Sequence, residues 1–200
     1  MAEDSAAKHR ARQTIRNLAL SLLACLGLVL ALILIVPRDE SSRIQRVDYK
    51  SIGTDVASST GLKIVIPELP EGWWCNKATW TGKSPDGVKT WYIGFVGPQN
   101  QYVGFTQAFD VNPTWFVGQL GEGAAAVQPK PVGDWFQYDA LVQHDPAKTR
   151  DHVWALGFSG IEQAKGNAYL LYGADKLEDF KTIAGVLKLD ASMAGAGANG

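Results

Sequence analysis

The feature that most constrains this chain is an uninterrupted apolar run near its N-terminus. Residues 18–36 carry no charged side chain, and only Ser21 and Gly27 interrupt a series of Leu, Ala, Val, Ile and Cys. Nineteen helical residues, at about 1.5 Å of rise each, span roughly the hydrocarbon core of a bilayer. A helix that is apolar on every side fits a membrane better than the core of a small soluble domain. The run therefore predicts one transmembrane helix, placed at residues 17–37.

Two other interpretations of this run were weighed against a membrane helix. The tetrapeptide Leu22-Leu23-Ala24-Cys25 resembles a bacterial lipobox, but the apolar run continues for about three turns beyond Cys25, whereas a lipoprotein signal ends at its cysteine. A cleaved signal peptide needs a small-residue cleavage site, and residues 35–39, IVPRD, supply none. The pattern favours an uncleaved signal-anchor, with Cys25 acting as a small apolar residue in the helix.

Basic residues flank the run on both sides, so the charge rule gives only a slight bias. Lys8, Arg10, Arg12 and Arg16 precede the run, and Arg38, Arg43 and Arg46 follow it. Acidic residues count for little in the positive-inside rule. Since the run is N-terminal, as an export signal is, and a large domain follows it, we expect residues 1–16 in the cytoplasm. The C-terminal domain is then expected outside the cell membrane.

Composition limits what the domain after the anchor can be. Residues 1–46 contain seven Lys or Arg and four Asp or Glu, while the whole chain has a net charge of -1, so the remainder is mildly acidic. A nucleic-acid surface needs clustered basic residues and is therefore not expected. Cys75 lies in the domain and Cys25 in the predicted membrane helix, so the two cannot pair. A domain without a disulfide must depend on its hydrophobic core.

Short β-rich runs separated by turn signals predict an antiparallel sheet. The predicted strands are residues 62–66, 75–81, 89–96, 102–109, 125–130, 134–143, 152–159 and 167–172. The third and fourth of these runs, 89–96 and 102–109, flank GPQNQ, which predicts a hairpin with a five-residue loop.

Three helices are predicted beside the sheet. Asn112 and Pro113 are suited to cap and begin a short helix that ends at Gly121. Asp175 with Glu178 resembles a capping box, and the stripe Leu177, Phe180, Ile183 and Leu187 has helical spacing. A further short helix is predicted around residues 47–57, inside a juxtamembrane linker at 38–60. The fold class is therefore α+β, with the domain at 61–190 and a disordered tail at 191–200.

An ordered series of motifs runs through the domain: an LP-x-GW turn, a W-x-x-G-[FY] strand leading to a Y-x-G strand, and a G-x-W-x-x-[FY] strand. The residues that carry them are Leu69, Pro70, Gly72, Trp73, Trp91, Gly94, Phe95, Tyr102, Gly104, Gly133, Trp135 and Tyr138. Together with the anchor and the closing helix, the series resembles an actinobacterial family of single-pass membrane proteins known by a domain of unknown function, number 4245. The resemblance covers about residues 15–190 and departs from the family at residues 171–174, LYGA, where Gly-Thr-Ala would be usual. It implies a Trp-rich extracytoplasmic domain whose motif residues are mainly structural, and it implies no activity.

Residues that could support chemistry are few and poorly arranged. His144, Asp145, Asp151 and His152 lie close in sequence, but their spacing matches no zinc pattern. Ser159 lies in Gly157-Phe158-Ser159-Gly160, which is not a nucleophile elbow. The chain has no Gly-rich phosphate loop, and no particular pair of carboxylates stands out. We therefore predict no catalytic residue, no metal and no cofactor, and a protein that is not an enzyme.

The seven tryptophans, at positions 73, 74, 80, 91, 115, 135 and 154, all lie in the domain. Most are expected to fill the core, because an indole ring buries a large area. Trp73 and Trp74 are the best candidates for a binding surface, because adjacent residues of an extended chain point in opposite directions.

Three functions are compatible with these features. The first is a binding or scaffolding protein of the cell envelope, such as an accessory subunit of a membrane complex. The second is an envelope lipid- or glycan-binding domain with an aromatic-lined cleft, and the third is a hydrolase with an unidentified site. An exposed apolar patch at Trp73 or Trp74 would favour the first, and an apolar pocket of several hundred Å³ the second. Converging titratable groups would favour the third.

Overall fold

The computed structural model describes residues 2–35, 45–120, 123–139, 152–173 and 176–195. The chain divides into two compact units, Met1–Arg43 and Ile44–Gly200. The first unit contains α1, Ala2–Ile35. The transmembrane helix was predicted to begin at residue 17, but α1 already begins at Ala2. The basic residues before the apolar run are therefore helical as well. Within the described residues, α1 is the one helix long and apolar enough to cross a membrane, over Thr14–Ala31. It is the candidate membrane helix near the N-terminus that the apolar run predicts.

The second unit is built on one antiparallel sheet, which confirms the predicted α+β class. Its described strands are β1 Trp74–Thr81, β2 Lys89–Val96, β3 Tyr102–Val111, β4 Lys130–Val132, β5 Trp135–Asp139, β6 His152–Leu156 and β7 Gly166–Gly173. Their order across the sheet is β1-β2-β3-β7-β6-β5-β4. The predicted hairpin is the β2–β3 pair, in which Val96 lies opposite Tyr102.

Three helices of the second unit are described: α2 Tyr49–Thr60, α3 Pro113–Gln119 and α4 Leu177–Leu187. The start of α3 is confirmed, because the side chain of Asn112 accepts a hydrogen bond from the Trp115 amide and Pro113 begins the helix. The predicted capping box of α4 depends on Asp175 and is not tested by the described residues. The N-cap of α4 is Lys176, whose side chain makes no capping bond, and Asp175 lies outside the described residues.

The two faces of the sheet carry separate clusters of buried side chains. Successive residues of a strand point to opposite faces, so Trp91, Ile93 and Phe95 of β2 share one face. Helices α2 and α4 cover this face, and α4 contributes the predicted stripe Phe180, Ile183 and Leu187. The opposite face packs against α3 through Trp115 and Phe116. The result is a sheet with helices on both sides.

Helix α2 belongs to the domain, although it lies in the region predicted as a linker. Tyr49 and Val56 of α2 are buried in the core, and the Tyr49 hydroxyl donates to the Pro67 carbonyl at 2.7 Å. Asp48 caps the start of the helix, and Gly61 ends it in the left-handed region at φ 71°. The predicted domain start at residue 61 therefore lies after a helix that the core includes.

Residues 62–66, predicted as a strand, form an extended segment without ladder partners. The segment crosses the face of the sheet, because its partners are side chains of β2 and β3. The Trp91 indole N–H donates to the Val65 carbonyl at 3.0 Å. The Gln107 side chain accepts from the Val65 amide at 2.8 Å and donates to the Lys63 carbonyl at 2.7 Å. A single glutamine thus satisfies two backbone groups that a neighbouring strand would otherwise bind.

The predicted strand at 125–130 is also wrong. Residues Ala124–Ala126 form a 3₁₀ turn, and β4 begins only at Lys130. Consecutive alanines favour helical backbone. Pro129 and Pro131 lack amide donors, which restricts this part of the chain to a short strand at the edge of the sheet.

Replacing Trp91 by alanine tests the core. Trp91 is fully buried and bound to Val65, so Trp91→Ala is expected to lower the free energy of unfolding by about 3–5 kcal/mol. Denaturant unfolding of the detergent-solubilised chain, followed by far-UV circular dichroism, measures this change. The control is Val117→Ala, at an exposed position of α3, which should change stability by less than about 0.5 kcal/mol. Equal midpoints for the two variants would contradict the packing described.

Candidate functional site

A groove of about 690 Å³ lies on the face of the sheet that carries α2 and α4. Its lining comes from the extended segment 63–68, from Gln107, Phe109, Asn167 and Tyr169 of the sheet, from residues 185–189 at the end of α4, and from Ser192 and Met193. All of these residues belong to the second unit. The volume lies in the range of sites that bind small molecules.

The floor of the groove is formed by two central strands of the sheet. Gln107 of β3 lies opposite Tyr169 of β7, and alternation along each strand places Phe109 and Asn167 on the same face. All four side chains are buried. Burial raises the pKa of the Tyr169 hydroxyl, and a hydrogen bond with Gln107 partly opposes that rise. The hydroxyl therefore stays neutral at physiological pH.

The two walls of the groove are mainly aliphatic. Ile64, Val65 and Ile66 line it from the extended segment, while Val186, Leu187 and Leu189 line it from the other side. Met193 lies in the 3₁₀ turn Ala191–Met193 and is partly exposed. These side chains favour an apolar ligand over a polar one, because contact with them removes apolar surface from water.

The titratable side chains of the lining are Lys63, Glu68, Tyr169 and Lys188. Glu68 is the acidic residue of the lining, and its carboxylate binds the Lys50 ammonium. The Glu68 side chain is 82% exposed. Lys63 and Lys188 are also exposed. The described lining of the groove therefore offers mainly hydrophobic surface and few reactive groups.

Trp73 and Trp74, the predicted binding surface, do not line the groove. Both are half-buried, and neither is among the exposed large hydrophobic residues in the described part of the chain. Trp73 packs against the core beneath α2 and α4. The Arg46 guanidinium lies over the Trp74 ring, 5.7 Å from its centroid. This contact covers part of the indole surface that a partner would otherwise use.

The first family motif forms a turn that leads into β1. The Trp73 amide donates to the Pro70 carbonyl at 3.1 Å, and Gly72 has φ 81°. A turn that needs a positive φ at its third position strongly favours glycine there. Leu69 packs against the core next to this turn. These four residues therefore shape the chain and contribute no groove lining.

Two motif glycines lie opposite each other in the β2–β3 hairpin, on the face away from the groove. Gly94 pairs with Gly104. A Cβ at Gly104 would lie 2.4 Å from the Tyr172 ring, and one at Gly94 would lie 2.9 Å from the Tyr102 hydroxyl. The glycines make room for tyrosine side chains that lie flat across the hairpin, and the Tyr172 ring stacks on the Tyr92 ring.

The last motif positions β5 in the sheet. Gly133 has φ 61° in the two-residue turn between β4 and β5. Trp135 packs on Trp154 on the groove side of the sheet. Tyr138 lies on the other side, where its hydroxyl donates to the Phe158 carbonyl at 2.9 Å. Burial raises the pKa of Tyr138 to about 12.

Of the residues weighed for a metal or for catalysis, the structure describes His152 and Ser159, and within its described residues no group of three or more His, Cys, Asp or Glu could hold a metal. His144, Asp145 and Asp151 lie outside the described residues. His152 binds Asp139 through Nδ1 at 2.8 Å. Burial opposes ionisation of Asp139, but hydrogen bonds from Lys130, His152 and Gln137 hold its pKa below the usual value. The Ser159 hydroxyl donates to Gln163.

Cys75 is a buried thiol in the core. Burial raises the pKa of Cys75 to about 11, so little reactive thiolate is present at neutral pH. Cys75 therefore packs as a small apolar residue of the core.

A family model described as a protein of unknown function, DUF4245, matches residues 10–187. The chain belongs to this family. The match includes the candidate membrane helix, the whole sheet and α4. The groove of this DUF4245 protein extends beyond the matched region, since Lys188, Leu189, Ser192 and Met193 follow it. No curated protein and no solved structure matches the chain significantly.

The sequence does not predict the groove of this DUF4245 domain, because the residues that line it come from distant parts of the chain. One residue gives a local signal. Gln107 lies between Phe105 and Phe109 on one face of a predicted strand, and a polar side chain in such a buried position indicates a specific hydrogen-bond partner.

Replacing Gln107 tests how the groove wall is held. Gln107→Met keeps the length of the side chain but leaves the Val65 amide and the Lys63 carbonyl without their partners. Hydrogen exchange at the Val65 amide, measured by mass spectrometry on the full-length DUF4245 protein, is expected to accelerate by roughly 10- to 100-fold, since one such bond contributes about 1–3 kcal/mol. The control, Gln99→Met at an exposed loop position, should leave this rate unchanged. Unchanged exchange in Gln107→Met would contradict the proposed support of the wall.

Proposed function

We propose that this chain is a membrane-anchored protein whose domain binds the apolar chain of a lipid in the groove. The observation that carries the proposal is the cavity of about 690 Å³ between aliphatic walls and a buried floor of two aromatic and two amide side chains. The polar groups of its floor are the amides of Gln107 and Asn167 and the hydroxyl of Tyr169. Pockets of this size with few convergent polar groups are typical of ligand-binding sites.

The geometry supports a ligand-binding role better than a scaffolding role. A scaffold was expected to present an exposed apolar patch around Trp73 or Trp74. Trp73 instead packs on the core, and Trp74 is partly covered by Arg46. A lipid fits the groove better than a glycan does, because the walls offer aliphatic surface and few hydrogen-bonding groups.

The anchor supports the same proposal. One signal-anchor helix with its N-terminus in the cytoplasm would hold the domain outside the cell membrane, in the cell envelope, where lipids are available. The slight excess of basic residues before the apolar run supports this orientation.

A photocrosslinking experiment tests lipid binding. The full-length protein is reconstituted in lipid vesicles that contain a phospholipid with a diazirine near the end of one acyl chain. After irradiation, mass spectrometry is expected to find the label on residues 63–68 and 185–193. Labelling of α1 reports the lipid of the bilayer and serves as the internal reference.

A matched pair of glycine variants makes the test specific. Gly185 lines the groove in α4, and Gly118 lies in α3 on the opposite face of the sheet; a Cβ at either position meets no atom within 4 Å. Gly185→Trp should fill the groove and reduce its labelling by about tenfold, as expected for the loss of a favourable apolar contact. Gly118→Trp should leave labelling unchanged. Label confined to α1, or equal groove labelling in both variants, would refute the proposal.

A further inference from the structure

The floor of the groove carries one phenolic hydroxyl, that of Tyr169. This residue lies in β7 directly opposite Gln107 of β3, and both side chains line the cavity. Tyr169 is only 6% exposed. An apolar chain that enters the groove displaces water from this floor, so the hydroxyl then depends on the protein or on the ligand for its hydrogen bonds.

The side-chain amide of Gln107 supplies one of these hydrogen bonds. Its oxygen accepts from the Val65 amide at 2.8 Å, and its nitrogen donates one N–H to the Lys63 carbonyl at 2.7 Å. A carboxamide has a second N–H. This second N–H donates to the Tyr169 oxygen, because the bond with Gln107 lowers the pKa of the phenol, as a donor to the phenolate form does.

The Tyr169 hydroxyl therefore keeps its own proton to donate. A phenol both accepts and donates, and among the described residues its hydrogen-bond partner is Gln107, which fills the accepting role. A purely hydrocarbon ligand would leave this O–H unpaired in a groove without water, which weakens binding. A ligand with an acceptor at the level of the floor gains a hydrogen bond instead. A site that is built to pair with a polar group of its ligand discriminates against the analogue that lacks it.

The surroundings of this hydroxyl favour a neutral acceptor that brings no donor. Phe109 lies on the same floor, and Ile64 and Val186 belong to the walls. A carboxylate among these apolar side chains would lose its hydration at a large cost. An alcohol or an amide would bring a further O–H or N–H that itself needs an acceptor. The carbonyl of an ester accepts a hydrogen bond and carries neither a charge nor a donor.

We infer that the ligand of the groove is an acyl-ester lipid, and that Tyr169 selects it by donating a hydrogen bond to the ester carbonyl. The acyl chain would lie between the aliphatic walls, with the ester at the level of Tyr169. The inference rests on the proposed lipid-binding function and names the class of lipid. Ether-linked lipids and plain hydrocarbon chains are expected to bind less well.

Two photoactivatable probes that differ only in the linkage of their chains test this selection. Full-length protein is reconstituted in vesicles of diether phosphatidylcholine, which supply no competing ester. The vesicles contain an equal small fraction of either a diester or a diether phosphatidylcholine with a diazirine near the end of one chain. Groove labelling is divided by the labelling of α1, so that the amount of probe in the bilayer cancels. The diester probe is expected to label the groove roughly three- to tenfold more than the diether probe, as one neutral hydrogen bond allows.

A matched pair of tyrosine variants assigns the preference to one hydroxyl. Tyr169→Phe removes the hydroxyl and keeps the ring, so the groove should lose its preference for the diester probe while the diether probe labels it as before. Tyr138→Phe is the control. The Tyr138 hydroxyl is also buried, but it lies on the opposite face of the sheet and donates to the Phe158 carbonyl. This variant should retain the full preference.

The outcomes separate this inference from the proposed function. Equal groove labelling by both probes in the wild type overturns selection of an ester and leaves lipid binding intact, and this comparison requires no variant to fold. A preference that persists in Tyr169→Phe, or that is also lost in Tyr138→Phe, overturns the role of Tyr169. Loss of labelling by both probes in Tyr169→Phe alone would show that the hydroxyl only maintains the groove, which also overturns that role. No groove labelling by either probe in the wild type overturns both the inference and the proposed function.

Discussion

The groove side of this domain depends on the side-chain amide of Gln107. This one buried group binds the backbone of the extended segment at both Lys63 and Val65. A buried backbone donor or acceptor without a partner is costly, so the segment can cross the face of the sheet only where such a partner exists. The indole of Trp91 adds a third bond, to the Val65 carbonyl. These contacts hold the wall apart from α4 and leave the groove between them.

On the opposite face of the sheet, the β2–β3 hairpin packs in a different way. Gly94 and Gly104 face the tyrosine side of the sheet and admit side chains that lie flat, such as Tyr172. On the groove side, the alternate residues are large and buried, including Phe105. The period of two residues along a strand thus gives one packed aromatic face and one face with a groove. Most residues of the family motifs shape the sheet and its turns and do not line the groove.

Local patterns predict much of this fold, and contacts between distant residues explain the rest. The β2–β3 hairpin, the Asn112 cap and the stripe of α4 follow from neighbouring residues, so the sequence predicts them correctly. Residues 62–66 have the composition of a strand, but their hydrogen-bond partner is a side chain 42 residues away from Val65. The groove combines that segment with β3, β7 and the end of α4, and no local pattern reveals such an arrangement. Trp73 and Trp74 stand out in the sequence, yet the core and Arg46 occupy much of their surface.

The central claim is that the groove holds a lipid in the membrane-anchored protein. Native mass spectrometry of the full-length chain, released from membrane nanodiscs, tests this claim most directly. We expect about one tightly bound amphiphile per chain, since each chain has one copy of this groove, and we expect Gly185→Trp to remove it while Gly118→Trp retains it. A wild-type protein that carries no lipid, or one whose bound lipid is unaffected by Gly185→Trp, would contradict the account.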